Sequence, residues 1–422
     1  MESSQIRQNR RKRQAGVAVA IISEVAGAVE EGLPADAALA RIFRRERGYG
    51  GRDRRYYSQA VFSYFRWRGW VQKLAPGQLE QQIAWALAID PLTTEGDNLF
   101  ETWDADIDSA TARPLGAFNE TTMAALELTP DDLMPDWLPG VMPDATSRLD
   151  FIKSCAIRPP TWLAVPEKSL EHFGSFLTGQ GLHFDIDQRV LGAVAIHDRF
   201  HLESLEKHWG QAIQVQDIAS QAVVRICDAR PGETWLDVCA GSGGKSLGLA
   251  RAVGSTGSVT ALDIRPSVIG NLEKRAAAHG FANIRANVMD ATSYHTATVY
   301  DGVLVDAPCS GLGTWPRNPD ARWRTKLDDV IEAAQKQITL LDEAAKRVKP
   351  GGKLVYSICT LTGMEGLNIM QDFIARHRDI DFKSFPHPYS GVSVPEYAAL
   401  GPDEGPGDGM FIACMNRSAS AG

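Results

Sequence analysis

At 422 residues the chain is too long for one ordinary domain and long enough for two or three, each with its own core. Its 44% hydrophobic and 23% charged residues are those of an ordinary soluble globular protein. The net charge of -8 argues, as an average, against a nucleic-acid partner, because phosphate contacts need basic side chains.

The apolar run Gly16 to Ile22 is too short to cross a membrane and lacks a signal-peptide cleavage site, so a cytoplasmic protein with no membrane partner is expected. Cys155, Cys227, Cys239, Cys309, Cys359 and Cys414 contain no Cys-x-x-Cys pair. Reduced thiols are expected, with no metal and no disulfide framework.

The average charge hides a basic start. Arg7, Arg10, Arg11, Lys12 and Arg13 open the chain, and Arg41, Arg44, Arg45, Arg47, Arg52, Arg54, Arg55, Arg66 and Arg68 follow, with Tyr56, Tyr57, Phe65, Trp67 and Trp70 between them. Arginine interleaved with aromatics suits phosphate contact and base stacking, and an amphipathic helix with a solvated basic face reads the same way. Ile21, Val25 and Val29, then Leu39 and Phe43, then Tyr57, Val61, Tyr64 and Phe65 carry helical spacing, punctuated by Gly32-Leu-Pro34 and Gly48 to Gly51. Acids then gather at Asp104, Asp106, Asp108, Asp131 and Asp132, and prolines from Pro130 to Pro143, as at the end of a helical domain. The helical domain is placed at 1–130. A linker and small α+β module follow over 131–215, with strands at Thr161 to Val165 and Arg189 to Ile196 and a helix near Leu170 to Leu177.

From 216 to 418 the text alternates strand and helix. Strands are expected at Thr234 to Cys239, Ser258 to Asp263, Ile284 to Met289, Gly302 to Val305 and Lys353 to Ile358. Helices are expected at Lys245 to Val253, Pro266 to His279 and Leu327 to Val348, the last stopped by Lys349-Pro-Gly-Gly352. This alternation implies an α/β fold with a parallel sheet, whose ligands bind beyond the carboxyl ends of the strands.

Those ends carry chemistry. The first closes in DVCAGSGGKS, Asp237 to Ser246. A phosphate-binding P-loop would need glycine at Cys239, and a dinucleotide fingerprint would need G-x-G-x-x-G, so neither fits. Asp263, Asp290 and Asp306 close the next three strands. One such aspartate is ordinarily a helix cap, whereas three behind a glycine loop suit a nucleoside. Cys309 lies three residues beyond Asp306, and Cys359 follows the strand ending at Ile358; a lone cysteine is ordinarily a small buried hydrophobe, but two thiols at strand ends would share one cleft.

These residues resemble the Nop/Sun family of RNA cytosine-5 methyltransferases. DVCAGSGGKS is similar to that family's DxCAAPGGKT, Asp306 to Gly311 to its DAPCSG, Ile358-Cys359-Thr360 to its TCS, Val215 to Gln221 to its QDxASQ, and Asp408 to Phe411 to its DGFF. Asp53 to Gly69 is similar to the NusB-like helical domain of the bacterial Sun (Fmu) ribosomal RNA branch, and Met134 to Trp137 fits that branch's linker. The resemblance implies a Rossmann-like methyltransferase domain, preceded by an all-α NusB-like domain and a small α+β RNA-binding module. It implies S-adenosyl-L-methionine held by Cys239, Ala240, Gly241, Ser242, Gly243, Gly244, Lys245, Asp263, Asp290 and Asp306. Cys359 would be the nucleophile, Cys309 would assist product release, and Asp306 would bond the cytosine ring. Small-subunit ribosomal RNA is the implied partner, with transfer RNA as the alternative.

Departures stand at Gly241-Ser242, at Ile358, around Glu365-Gly366, where the family has an acidic-Asn pair, and at Ala164-Val-Pro166, where it has Arg-Val-Asn. Two other readings stay open. A DNA cytosine methyltransferase would attack with a cysteine after proline, as Cys309 follows Pro308, and an RNA-binding assembly factor would keep the fold without turnover.

Overall fold

In the computed structural model, residues 2–91, 107, 109–142, 144–198, 200, 202–209 and 213–419 are described. Asp104, Asp106 and Asp108, and the side chains of Arg7, Arg10 and Arg11, lie outside the described residues. The chain divides into two compact units, Met1–Arg158 with Trp315–Leu327, and Pro159–Thr314 with Asp328–Gly422.

The first unit is helical. It contains α1 (Glu2–Glu30), α2 (Ala35–Arg45), α3 (Gly51–Leu74), α4 (Leu79–Ile89) and α5 (Ala145–Cys155), with short helical turns between α4 and α5. The expected punctuation at Gly32 to Pro34 and at Gly48 to Gly51 separates the first three. In helix α3, Tyr56, Tyr57, Phe65, Trp67 and Trp70 all lie in the core, the two tryptophan rings 5.4 Å apart. This corrects the base-stacking reading of those aromatics, since a buried side chain of this size contributes about 1.5–3 kcal/mol to folding and is not free to meet a base. Arg66 is also internal, 2.9 Å from Asp90, which accepts a second bond of 2.7 Å from Ser63. Arg41, Arg44, Arg47, Arg52 and Arg55 remain exposed.

Residues 315–327, expected within the catalytic domain, group with the helices instead. Arg322 is fully buried and donates to the carbonyls of Leu133 and Arg66 at 3.2 and 3.0 Å, while the Trp323 indole donates to Phe65 at 2.8 Å.

The second unit opens with β1 (Thr161–Ala164), α6 (Leu170–Gly179), β2 (Phe184–Ile186), β3 (Ala193–Ile196) and β4 (Gln214–Val215). The strands form an antiparallel sheet in the order β2-β3-β1-β4. The strand expected from Arg189 begins only at Ala193, because Asp187 accepts from the Arg189 and Val190 N–H groups and turns the chain. Trp162, Ala193 and Ala195 share a core with residues of the larger sheet, so both sheets lie in one unit.

Then follow α7 (Ile218–Ile226), β5 (Thr234–Asp237), α8 (Gly244–Val253), β6 (Ser258–Asp263), α9 (Pro266–Ala278), β7 (Ile284–Val288), β8 (Tyr300–Asp306), α10 (Leu327–Ala345), β9 (Val348–Ile358), α11 (Leu367–Arg376) and β10 (Ile380–Phe382). A hairpin of β11 (Phe385–Pro386) and β12 (Ser393–Val394), then β13 (Tyr397–Leu400) and β14 (Met410–Arg417), complete the unit. The eight-stranded sheet runs β10-β14-β9-β8-β5-β6-β7, with β13 on β14. Strands β5 to β9 are parallel, and β14 is antiparallel to β9. Strand order reverses between β5 and β8, which opens a crevice beyond their carboxyl ends.

The end of the long helix also moves. Helix α10 ends at Ala345, and Lys349 to Gly352 lie inside β9 rather than terminating the helix. Tyr300 pairs with Val348 but Gly302 with Lys353, a bulge that Gly351 permits with its φ of 76°.

Candidate active site

The glycine loop between β5 and α8 is shaped by backbone approach. Gly243 has φ 84°, and a Cβ there would lie 2.6 Å from Cγ of Leu272. Ala240 N–H donates to the Leu262 carbonyl at 2.8 Å, and Gly241 N–H donates to the Asp263 carboxylate at 3.0 Å. The expected donor loop and the β6 carboxylate are therefore joined.

Asp263 is also held by a residue the sequence reading missed. Arg265 donates to its two oxygens at 2.9 Å each. Burial would raise the Asp263 pKa, but the Arg265 bonds and backbone N–H groups outweigh it and keep the carboxylate below its usual range. Asp290 is exposed and accepts from Thr292 N–H at 2.9 Å, so it caps the short turn after β7. Beside these acids Ile264 is 67% exposed and Met289 39% exposed. Large apolar side chains left open next to strand-end carboxylates offer flanks for a purine, with the acids as acceptors for hydroxyls and an amine. These residues fit a nucleoside-bearing donor.

Deeper in the crevice Lys245, at the start of α8, is buried and donates to Asp306 at 2.8 Å and to Ser220 at 3.2 Å. Burial alone would lower the lysine pKa; the Asp306 charge and hydrogen bond prevail, and the ammonium is held above its ordinary value. The second Asp306 oxygen accepts from Ser357 at 2.7 Å. Burial pushes the Asp237 carboxyl up to about 7, against the bond it accepts from Ser246 at 2.6 Å.

Cys309 and Cys359 are brought together because β8 and β9 are parallel neighbours with Asp306 opposite Ser357. Their sulfurs lie 3.2 Å apart. The hydrogen bond with Cys359, then burial, holds Cys309 well above the usual thiol pKa. Cys155, Cys227 and Cys414 are buried free thiols, as a packing role requires, and burial raises Cys239 so that its thiol stays protonated.

Sequence reading treated the acidic end of the second cysteine motif as replaced. The acid is present: Glu365 is fully buried and accepts from Ser310 N–H, Thr362 and Gln337 at 2.8, 2.9 and 3.1 Å. Its spacing from Cys359 was the available signal. Gly313 N–H donates to the Cys359 carbonyl at 3.0 Å, and a Cβ on Gly313 would stand 1.8 Å from the Gly409 carbonyl oxygen, so the closing Asp408-Gly409 motif braces the same loops. Asp217, at the start of α7, accepts from Asp408 N–H at 3.0 Å.

Among the described residues no helix is long and apolar enough to cross a membrane, and no group of three or more His, Cys, Asp or Glu residues could hold a metal.

Residues 224–416 match the family described as 16S rRNA methyltransferase RsmB/F. A probable ribosomal RNA small subunit methyltransferase B of Bacillus subtilis (strain 168) is 38% identical over 172 residues, 40% of this chain and 38% of that protein. The ribosomal RNA small subunit methyltransferase B of Vibrio vulnificus (strain YJ016) is 29% identical over 258 residues, 57% of this chain and 58% of the relative. The chain thus matches well under two thirds of the length of these curated relatives. The crystal structure of PH0851 shares the fold with TM-score 0.74 at 23% identity, over 96% of this chain and 99% of that one. The likeness to the 16S rRNA methyltransferase RsmB/F family thus lies over residues 224–416 of this chain.

Proposed function

We propose that this protein methylates carbon 5 of a cytosine in RNA, small-subunit ribosomal RNA in the first instance, through a covalent bond to Cys359. The observation that carries the reading is the pair of sulfurs 3.2 Å apart at the ends of β8 and β9, beside the Lys245–Asp306 ion pair. S-adenosyl-L-methionine is the methyl donor; when bound it supplies an electrophilic methyl group. The loop from Cys239 to Lys245, with Asp263 and Asp290, holds its nucleoside.

Carbon 5 of cytosine is a poor nucleophile until something adds at carbon 6. Cys359, as thiolate, forms the sulfur–carbon bond there, and the ring electrons move toward carbon 5. Asp306, fixed by Lys245 and Ser357, acts in its protonated form: it gives its proton to the ring nitrogen and accepts from the exocyclic amine, which neutralises the negative charge that thiolate addition puts on the ring. Carbon 5 then takes the methyl group by in-line displacement, for which the chain supplies alignment. The carbon 5 proton leaves to solvent water, its electron pair returns to the ring as the bond to Cys359 breaks and restores the thiolate, and the ring nitrogen returns its proton to Asp306. Cys309 is placed to ease this last step. The target base leaves its stack to reach the crevice, which favours single-stranded or opened RNA.

The helical unit supplies RNA affinity in this reading, as a NusB-like module, through its exposed arginines at 41, 44, 47, 52 and 55. Labelled-donor assays on RNA and DNA oligonucleotides, followed by mapping of 5-methylcytosine in ribosomal and transfer RNA with and without the protein, test the proposal. Incorporation at an atom other than cytosine carbon 5, or into DNA alone, would overturn it.

A further inference from the structure

We infer that Glu365 is a positioning residue: its buried carboxylate ties the Cys309 loop to the Cys359 loop and so sets how the two sulfurs meet. The inference rests on the proposed pairing of the two cysteines in one reaction.

The carboxylate is completely buried, and its hydrogen bonds come from three separate elements. Ser310, directly after Cys309, donates its N–H to one oxygen at 2.8 Å and its hydroxyl to the other at 2.5 Å. Thr362, in the loop after Cys359, donates at 2.9 Å. Gln337, on α10, donates one amide nitrogen to Glu365 at 3.1 Å and to the Pro308 carbonyl, directly before Cys309, at 2.9 Å. The residues on both sides of Cys309 are thus held through Glu365 and Gln337, and Tyr356 adds a bond of 2.7 Å to the Glu365 carbonyl. A buried charge needs such a set of donors to be tolerated at all, so the network is a unit in which each member constrains the others.

The charges around the two sulfurs are unequal. Cys309 faces Cys359, Glu365 and Tyr356, and all three interact electrostatically with it. Lys245, engaged with Asp306, has Cys359 among the groups acting on its charge. A carboxylate on the Cys309 side opposes its ionisation, as like charges disfavour one another in a poorly solvated site. The proposed reaction can use this division, with Cys359 as the thiolate that attacks and Cys309 as a thiol that hydrogen-bonds the departing sulfur.

Alkylation with iodoacetamide from neutral to alkaline pH, with the Cys309 and Cys359 peptides quantified by mass spectrometry, reads the charge effect on the full chain. Glu365→Gln should move the Cys309 profile to lower pH and raise its labelling relative to Cys359 at least about threefold at neutral pH. Ser310→Ala keeps the charge and removes the hydroxyl tie; closure of the Cys309–Cys359 disulfide by diamide should then slow several-fold. If Glu365→Gln does not fold, the Ser310→Ala ruler decides by itself. An unchanged labelling ratio in folded Glu365→Gln, or unchanged disulfide closure in Ser310→Ala, would overturn the inference. Neither readout uses RNA or methyl donor, so failure here is distinct from failure of the methylation reaction.

Discussion

The Cys309 sulfur sits 3.2 Å from the Cys359 sulfur across 50 residues of sequence, because each follows one of two parallel neighbouring strands. Two thiols in contact at the floor of one crevice can divide a reaction between them. Replacing each in turn separates the roles. Cys359→Ala should abolish methylation and any covalent RNA adduct, since no thiolate remains to add at carbon 6. Cys309→Ala should leave attack possible and slow release, so that a protein–RNA adduct stable to denaturing gels accumulates. An adduct formed by Cys359→Ala would reverse the assignment in favour of the DNA-type order.

Donor binding tests the β6 carboxylate. Asp263→Ala removes the acceptor proposed for the ribose hydroxyls and also the partner of Gly241 N–H, and calorimetry should show affinity for S-adenosyl-L-methionine weakened by about 1.5–3 kcal/mol. Arg265→Ala removes a largely exposed partner of the same carboxylate. It should change donor affinity less than Asp263→Ala does. Equal losses in the two variants would mean that the pair, and not the carboxylate, makes the contact.

The arginines of the helical unit should fall into two classes. Arg66→Ala removes the buried guanidinium that pairs with Asp90, a change that costs about 3–5 kcal/mol, so thermal unfolding should move sharply downward. Arg52→Ala and Arg55→Ala lie on the surface and should leave unfolding unchanged while lowering the salt slope of RNA binding by about one unit each. A salt slope unaltered by both surface variants would make this face a solvated one with no part in RNA contact.

Asp237 gives a pH signature. Its folded pKa is raised by burial from 3.8 to about 7, so between those values the native state binds the proton more tightly than the unfolded chain does. Stability contributed by the protonated form is present at the acid end of this window and is lost as pH rises toward about 7. Asp237→Asn should remove that loss. Melting temperatures of wild type and variant should therefore differ by an amount that changes across the window, and a constant difference from about pH 4 to 7 would sink the assignment.

Much of the methyltransferase unit is legible in the sequence, because strand and helix periodicity, glycine loops and strand-end acids are local features whose chemistry acts within a few residues. DVCAGSGGKS announces a backbone-lined loop, and Asp263 and Asp306 announce strand ends, whatever the rest of the chain does. What tertiary structure alone decides is pairing over distance. That Glu365 reaches Ser310, and that residues 315–327 group with the helices, depends on packing that no local pattern encodes. The aromatics of α3 show the same limit from the other side: Trp67 and Trp70 read equally well as a surface for bases or as a core, and only the neighbours that bury them settle which, since burial is a property of the surroundings and not of the residue.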